Sequence, residues 1–307
     1  MDIPKVRLGR TELYVTKTSF GALPVQRIGH EAARKLLRRA YESGINYFDT
    51  ANMYTDSEEK IGEALHDVRQ NIVISTKSGG KDKKTVREHI ELSLRRMQTD
   101  YIDLFQFHNP AELPDPEDPD GPYAAALEAK EKGYIRHIGI TNHRLGVAQA
   151  AIASGNFETL QFPFCYLCTE KDLQLLRACE AADMGFIAMK GLSGGMLSNA
   201  AACYAFMQQH PNVVPIWGIQ HEWELDQWLK LTEENQQMTP ELAAVIECFL
   251  DTQSKENRVL FMRRYWYADS YADIGRLLGI TESNARLRLM RMRKQLKTYL
   301  IEQEVMA

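Results

Sequence analysis

A (β/α)8 barrel followed by a small all-α helix-turn-helix domain is the fold class this 307-residue chain predicts, on three observations. Short, largely apolar runs recur at near-even spacing over roughly 220 residues, as eight strand–helix beats do in a barrel of about 250 residues. Helix-length segments of 3.6-type periodicity separate them. The last stretch then turns basic and helical, with no strand pattern left.

The eight strand candidates are "TKTSFGA" near 17, "INYFD" at 45, "NIVISTK" at 71, "YIDLFQFH" at 101, "IRHIGITN" at 135, "TLQFPF" at 159, "GFIAMK" at 185 and "VVPIWGI" at 213. They are apolar rather than alternating, as parallel strands covered on both faces should be. Segments such as "EAARKLLRRAYESG" and "TVREHIELSLRRM" supply the helices between them. A doubly wound open sheet is the structural alternative, but no GxGxxG follows the first strand. The acidic, proline-rich "NPAELPDPEDPDGP" (109–122) is expected as a long loop after the fourth strand, on the face where barrels build sites and placed to cover a substrate. These patterns divide the chain into a barrel, 1–236, and a helical domain, 240–307.

Composition narrows the function classes. The chain is 44% hydrophobic and 25% charged, ordinary for a globular protein, and no apolar run reaches the length of a spanning helix. Its start has no signal-peptide pattern, and five cysteines leave one unpaired in any disulfide scheme, so a reducing cytoplasm is expected. The "CYLC" pair, Cys165 and Cys168, lacks a second pair, and Cys179, Cys203 and Cys248 have no ligand-like spacing, so no metal is expected. Charge is uneven: residues 251–307 carry eleven Lys and Arg against seven Asp and Glu, the remainder 26 against 34. A basic tail on an acidic body implies two units with different partners.

Polar residues at the strand ends point to chemistry. Asp49 ends the second strand, Lys77 the third and His108 the fourth, with Tyr54 on the loop leaving the second. All four belong at the C-terminal mouth, where barrel sites lie. A phenol with a pKa of about 10 donates a proton poorly near neutrality unless its phenolate is stabilised. A Lys77 ammonium would do that, Asp49 would hold the ammonium, and His108 could orient a carbonyl oxygen. Taken singly, a structural ion pair and a core histidine explain these residues as well; four on one rim favour a site.

"FDTANMYTDSEEKIGEAL", with "STK" and "FQFH" after it, resembles the aldo-keto reductase signature over roughly residues 6–235. The resemblance implies hydride transfer between a nicotinamide cofactor and a carbonyl compound. It makes Tyr54 the acid–base, Lys77 and Asp49 its tuners and His108 the carbonyl-orienting residue. It also makes NADPH the cofactor, with NADH as the alternative. Asn142 and Gln161 match the positions that bind the nicotinamide carboxamide, and Met189 stands where an aromatic usually stacks. Lys190, Gly191, Leu192, Ser193 and Gly194 match the pyrophosphate loop, and Gly218 and Gln220 follow the eighth strand. His221 is the only candidate cation near Gly218–Ile219 for a 2′-phosphate.

The tail "SYADIGRLLGITESNARLRLMRMRKQL" has a short helix, a glycine break, a threonine cap and a long basic helix. It resembles the promoter-reading C-terminal domain of bacterial sigma factors over about 240–304. That resemblance implies DNA or RNA polymerase as a partner, with Glu282, Ser283, Asn284 and Arg286 opening the recognition helix and Arg288 supplying phosphate charge. Two readings follow: a carbonyl reductase with an appended DNA-binding module, or a DNA-binding regulator whose barrel senses a nucleotide or metabolite. A complete tetrad favours the enzyme, because a sensor needs no tuned phenol.

Overall fold

The computed structural model describes residues 1–195, 197, 199–243, 254–265 and 269–302. Eight parallel strands close into a barrel, in the order β10-β3-β4-β5-β6-β7-β8-β9. They are β3 (Ser19–Gly21), β4 (Tyr47–Asp49), β5 (Val73–Ser78), β6 (Ile102–His108), β7 (Ile135–Thr141), β8 (Thr159–Pro163), β9 (Gly185–Met189) and β10 (Val213–Gly218). Every one coincides with a run expected from sequence. A leading hairpin, β1 (Lys5–Arg7) against β2 (Tyr14–Thr16), precedes them. Its Val6, Leu8 and Val15 pack with Tyr47, Leu104, Ile187, Val214 and Ile216, an apolar plug at the N-terminal end of the barrel.

The helices follow from local signals. In α1 (His30–Glu42) Ala33, Leu36, Leu37 and Ala40 are buried, one stripe at helical spacing. The α3 helix (Lys83–Arg96) starts where Asp82 accepts a hydrogen bond from the Thr85 amide, and α6 (Glu170–Ala181) starts on a Thr169–Asp172 capping box. The others on the barrel are α2 (Ser57–Leu65), α4 (Pro122–Glu131), α5 (Leu145–Ser154) and α8 (Glu222–Glu233), with α7 (Ala200–Gln208) between β9 and β10 in sequence. No helix among the described residues is long and apolar enough to cross a membrane.

Two compact units emerge. The first comprises 1–162, 168–189 and 211–234; the second gathers 163–167, 190–210 and everything from Asn235. In the second unit lie α9 (Lys255–Tyr265), α10 (Tyr271–Leu278) and α11 (Glu282–Glu302). Ser270 caps α10, and Gly279 ends it at φ +65°, a left-handed turn that glycine adopts without a Cβ clash. Leu260, Ile274, Ala285, Leu289 and Met292 form a small core that also takes in Leu167. The tail's apolar core is thus completed by a residue from the segment after β8.

Strand register sets the barrel interior. Lys77 pairs with Gln106, Gln106 with Gly139 and Gly139 with Thr159, so these four form one inward row. His108, Thr141 and Gln161 form the next row toward the mouth. Gly139 leaves room: a Cβ there would lie 2.1 Å from Thr159 Oγ1 and 3.2 Å from Gln106 Cγ. Gly139→Ala should therefore destabilise the fold by about 1–3 kcal/mol through overpacking. Adding Thr159→Ala should recover much of that loss in urea titrations, because it removes the nearest clashing atom. No recovery would show that backbone displacement, not this contact, sets the cost.

Candidate active site

Strand ends bring the four tetrad candidates together. Asp49 and Lys77 are almost fully buried, with Lys77 Nζ donating to Asp49 Oδ2 at 2.7 Å and to the Thr50 carbonyl. Ser75 Oγ donates to Asp49 Oδ1 at 2.6 Å, and the Tyr47 hydroxyl donates to Ser75 at 2.9 Å. Tyr54 stands beside them, its ring centroid 5.5 Å from Lys77 Nζ. The His108 ring meets Tyr54 edge-on, with centroids 5.8 Å apart at 80°.

The Tyr54 loop is tied down from both sides. Thr50 and Asn52 amides bond to the Ser75 and Lys77 carbonyls, and the Tyr54 amide closes a turn on Ala51. Ser57 links the Thr50 hydroxyl to the Ala22 carbonyl. Buried Glu58 accepts from Thr76 and Arg96, and buried Lys60 donates to the Val25 and Ile28 carbonyls and pairs with Asp56. The long "SEEK" signature is thus the scaffold of the loop that carries the phenol.

Electrostatics differ from the sequence expectation in one respect. Burial, then the charge of Asp49, raises the Tyr54 pKa above its usual value of 10.0. Lys77 is lowered by the same loss of water, opposed by Asp49. Burial and the neighbouring carboxylate act in the same direction in the resting site and favour the protonated phenol. His108 is pushed down to about 3 by burial, with Lys77 and His143 adding to the effect. Its Nδ1 is buried without a hydrogen-bond partner among the described residues.

The remaining candidates fall into separate surroundings. Asn142 is fully buried and donates to the Pro110 carbonyl at 2.8 Å while accepting from the Arg144 amide. Gln161 accepts from Gln106 Nε2 at 2.9 Å. Met189 packs against the barrel plug. At the start of α8, the Glu224 carboxylate takes the amides of Gln220 and His221 at 2.6 and 2.9 Å, so those two donors are already occupied. Gly218 lies exposed at the end of β10. Within the second unit, Lys190, Ser193 and Gly194 all have positive φ, of 60°, 49° and 66°, and the Ser193 amide bonds to the Lys190 carbonyl. Ser193 Oγ is buried with no partner among the described residues. Burial, then Arg264, lowers Lys190 to about 8. Gly191 is buried and Leu192 half-buried in the same loop.

In the tail, Glu282, Ser283 and Asn284 are exposed at the start of α11. Arg286 lies 4.4 Å from the centroid of Tyr271 and pairs with Glu282 at 2.6 Å, while Arg288 bonds Asn257 and Glu256. Cys165, Cys168, Cys179 and Cys203 form no disulfide among the described residues, Cys248 lies outside the described residues, and no metal-holding cluster occurs among the described residues. Sequence reasoning passed over Ser75 and Gln106, the two inward polar residues that contact Asp49. For Gln106 the available signal was a lone amide between Phe105 and Phe107 in an apolar run; Ser75, followed by Thr76, gave none.

One pH dependence follows. The folded-state pKa of His108 lies below the unfolded value, so the unfolded chain binds the extra proton as pH falls from 6.5 toward 3. Stability should drop through that window. In His108→Gln the loss of urea midpoint between pH 7 and pH 5 should be smaller than in the native chain. Equal losses would show that other groups carry it.

Comparison with known proteins gives the family and the fold. The model of the "Aldo/keto reductase family" matches residues 17–248. The oxidoreductase YqkF of Bacillus subtilis is 28% identical over 208 residues, covering 63% of this chain and 66% of its own length. The chain thus spans just under two thirds of that curated relative. Among solved structures, the aldo-keto reductase AKR11C1 from Bacillus halodurans, in its holo form, superposes with a TM-score of 0.70 at 23% identity, over 81% of this chain and 96% of that one. An aldo-keto reductase from Klebsiella pneumoniae in complex with NADPH gives 0.66 at 21% identity, over 81% and 95%. The structural likenesses establish the barrel, and the family model, spanning most of the chain, establishes membership: this protein belongs to the aldo/keto reductase family.

Proposed function

We propose that this chain is an NAD(P)H-dependent oxidoreductase that reduces an aldehyde or ketone to an alcohol, with Tyr54 as the proton donor. The observation that carries the reading is the Tyr54 ring beside buried Lys77, which is itself held by the Asp49 carboxylate. Tyr54 gives its proton to the carbonyl oxygen and becomes a phenolate. Lys77 meets that new negative charge, and Asp49 keeps Lys77 in place through the transfer. His108 stays neutral across the working pH range and offers a ring nitrogen to the substrate oxygen.

The residues present fit a nicotinamide cofactor. Gln161 has its amide nitrogen uncommitted among the described residues, and Ser193 has a buried hydroxyl without a partner in a loop of positive-φ residues. Such a loop presents backbone N–H groups to an anion. Gln161 and Asn142 would hold the nicotinamide; in the second unit, Lys190 to Gly194 match by sequence the family's pyrophosphate loop. A nicotinamide cofactor bound there would supply the hydride for the carbonyl carbon. The backbone amides of Gln220 and His221 are given to Glu224, which leaves the His221 side chain as the group toward a 2′-phosphate and NADH as the second cofactor.

For the tail we propose a helix-turn-helix module in the same chain. The supporting observation is the sequence of short helix, left-handed Gly279 and long helix around a five-residue core. DNA, or RNA polymerase on DNA, is the partner such a module serves. Arg286 and Arg288 have internal partners, which leaves Ser283 and Asn284 as the exposed candidates for base edges.

Two measurements test these readings. Tyr54→Phe should abolish NADPH-dependent reduction across an aldehyde panel while binding NADPH within about twofold of the native chain, and Lys77→Met should be comparably damaging. Reduction retained within a few-fold in Tyr54→Phe would remove Tyr54 from the role. For the tail, full-length protein should bind duplex DNA with affinity falling roughly a hundredfold between 50 and 200 mM salt, as about four neutralised phosphates would require. Binding that ignores salt, or no binding, would reduce the tail helices to packing.

A further inference from the structure

Gln106 is a fully buried amide in the barrel interior, two residues before His108 on β6. Its Nε2 donates to Gln161 Oε1 at 2.9 Å and reaches Asp49 Oδ1 at 3.4 Å. A carboxylate only accepts, so the NH2 end of Gln106 must face Asp49. Since that same nitrogen donates to Gln161, Gln161 must turn its oxygen inward. The NH2 end of Gln161 is then left as a donor, the group that a carboxamide oxygen needs. A flipped Gln161 would set N–H against N–H.

The arrangement is costly for the fold. Gln106 Oε1 is buried with no hydrogen-bond partner among the described residues, and Thr159 Oγ1 in the same inward row is likewise unpartnered. An apolar side chain of equal length would fill the space opposite Gly139 without leaving a carbonyl oxygen dry. Packing alone therefore does not account for an amide at this position.

We infer that Gln106 is a positioning residue, which fixes the amide of Gln161 for the nicotinamide carboxamide and links that contact to the Asp49–Lys77 pair. The inference rests on the reading of the site as an NAD(P)H-dependent one. The link is physical: one nitrogen is shared between the oxygen of Gln161 and the carboxylate that holds Lys77.

The test uses binding rather than turnover. Affinities of the full-length protein for NADPH and for 2′-phospho-ADP-ribose, which lacks the nicotinamide, are measured by quenching of intrinsic fluorescence. In Gln106→Met the NADPH affinity should fall about tenfold, the scale of one lost hydrogen bond, with 2′-phospho-ADP-ribose unchanged. Gln161→Met should behave alike, and the double variant should bind NADPH no more weakly than either single one. Equal losses for both ligands, or losses that add in the double variant, would overturn the inference and make Gln106 a packing residue. Should Gln106→Met fail to fold by circular dichroism, the side-chain amide resonance of Gln106 in 15N-labelled native protein decides. It should move on adding NADP+ and stay fixed on adding 2′-phospho-ADP-ribose; an amide that ignores both overturns the proposal. A native chain that binds 2′-phospho-ADP-ribose but neither NADPH nor NADH would sink the cofactor reading itself, a different result from a binding-competent chain indifferent to Gln106.

Discussion

The buried ion pair between Lys77 and Asp49 is the constraint around which the barrel interior is arranged. Two charges withdrawn from water cost several kcal/mol each unless geometry and further hydrogen bonds compensate. Here Asp49 receives Ser75, Lys77 and Gln106, and Lys77 also donates to the Thr50 carbonyl. Tyr47 extends the chain beneath Ser75. The pair is thus part of a connected polar layer above the apolar plug, and in the proposed reaction it stands ready to meet a phenolate at Tyr54. The same withdrawal from water explains why Tyr54 is raised and Lys77 and His108 are lowered.

Barrel register makes that layer possible. Inward residues alternate with outward ones, and neighbouring strands are offset so that side chains of alternate positions form rows. Lys77, Gln106, Gly139 and Thr159 make one row, and Gly139 gives its space to the flanking side chains. The outward neighbours Phe105 and Phe107, by contrast, are buried among aromatics such as Tyr123 and Phe157. Rigid strands on both sides are what allow a loop residue, Tyr54, to hold a fixed place beside Lys77.

The second unit follows a different logic. Its core is five aliphatic or small residues with a few flanking contacts, among them Leu167. The aromatic group of Phe164, Tyr166, Phe206 and His210 belongs to the same unit, with Phe206 and His210 centroids 4.8 Å apart. Segments that the strand–helix count assigns to the barrel, 163–167 and 190–210, are thereby grouped with the tail. Compactness, unlike sequence order, depends on which apolar faces find each other.

The sequence by itself determined the eight strands, because parallel strands covered on both faces must be short apolar runs and the helices between them must carry one buried stripe. It also placed Asp49, Lys77 and His108 at strand ends, where polarity interrupts an apolar run, and Tyr54 on the loop beyond. Only the tertiary structure decided the partners. Which residues share an inward row depends on the stagger between strands, so the contacts of Ser75 and Gln106 with Asp49 were invisible in the linear pattern. The direction of the Tyr54 shift was likewise a matter of burial, which no spacing reports. In the tail, the glycine break and the threonine cap of α11 were legible as local backbone signals. The packing of Arg286 on Tyr271 and the bonds of Arg288 to Asn257 and Glu256 were not, because they join residues brought together only when the helices fold against one another.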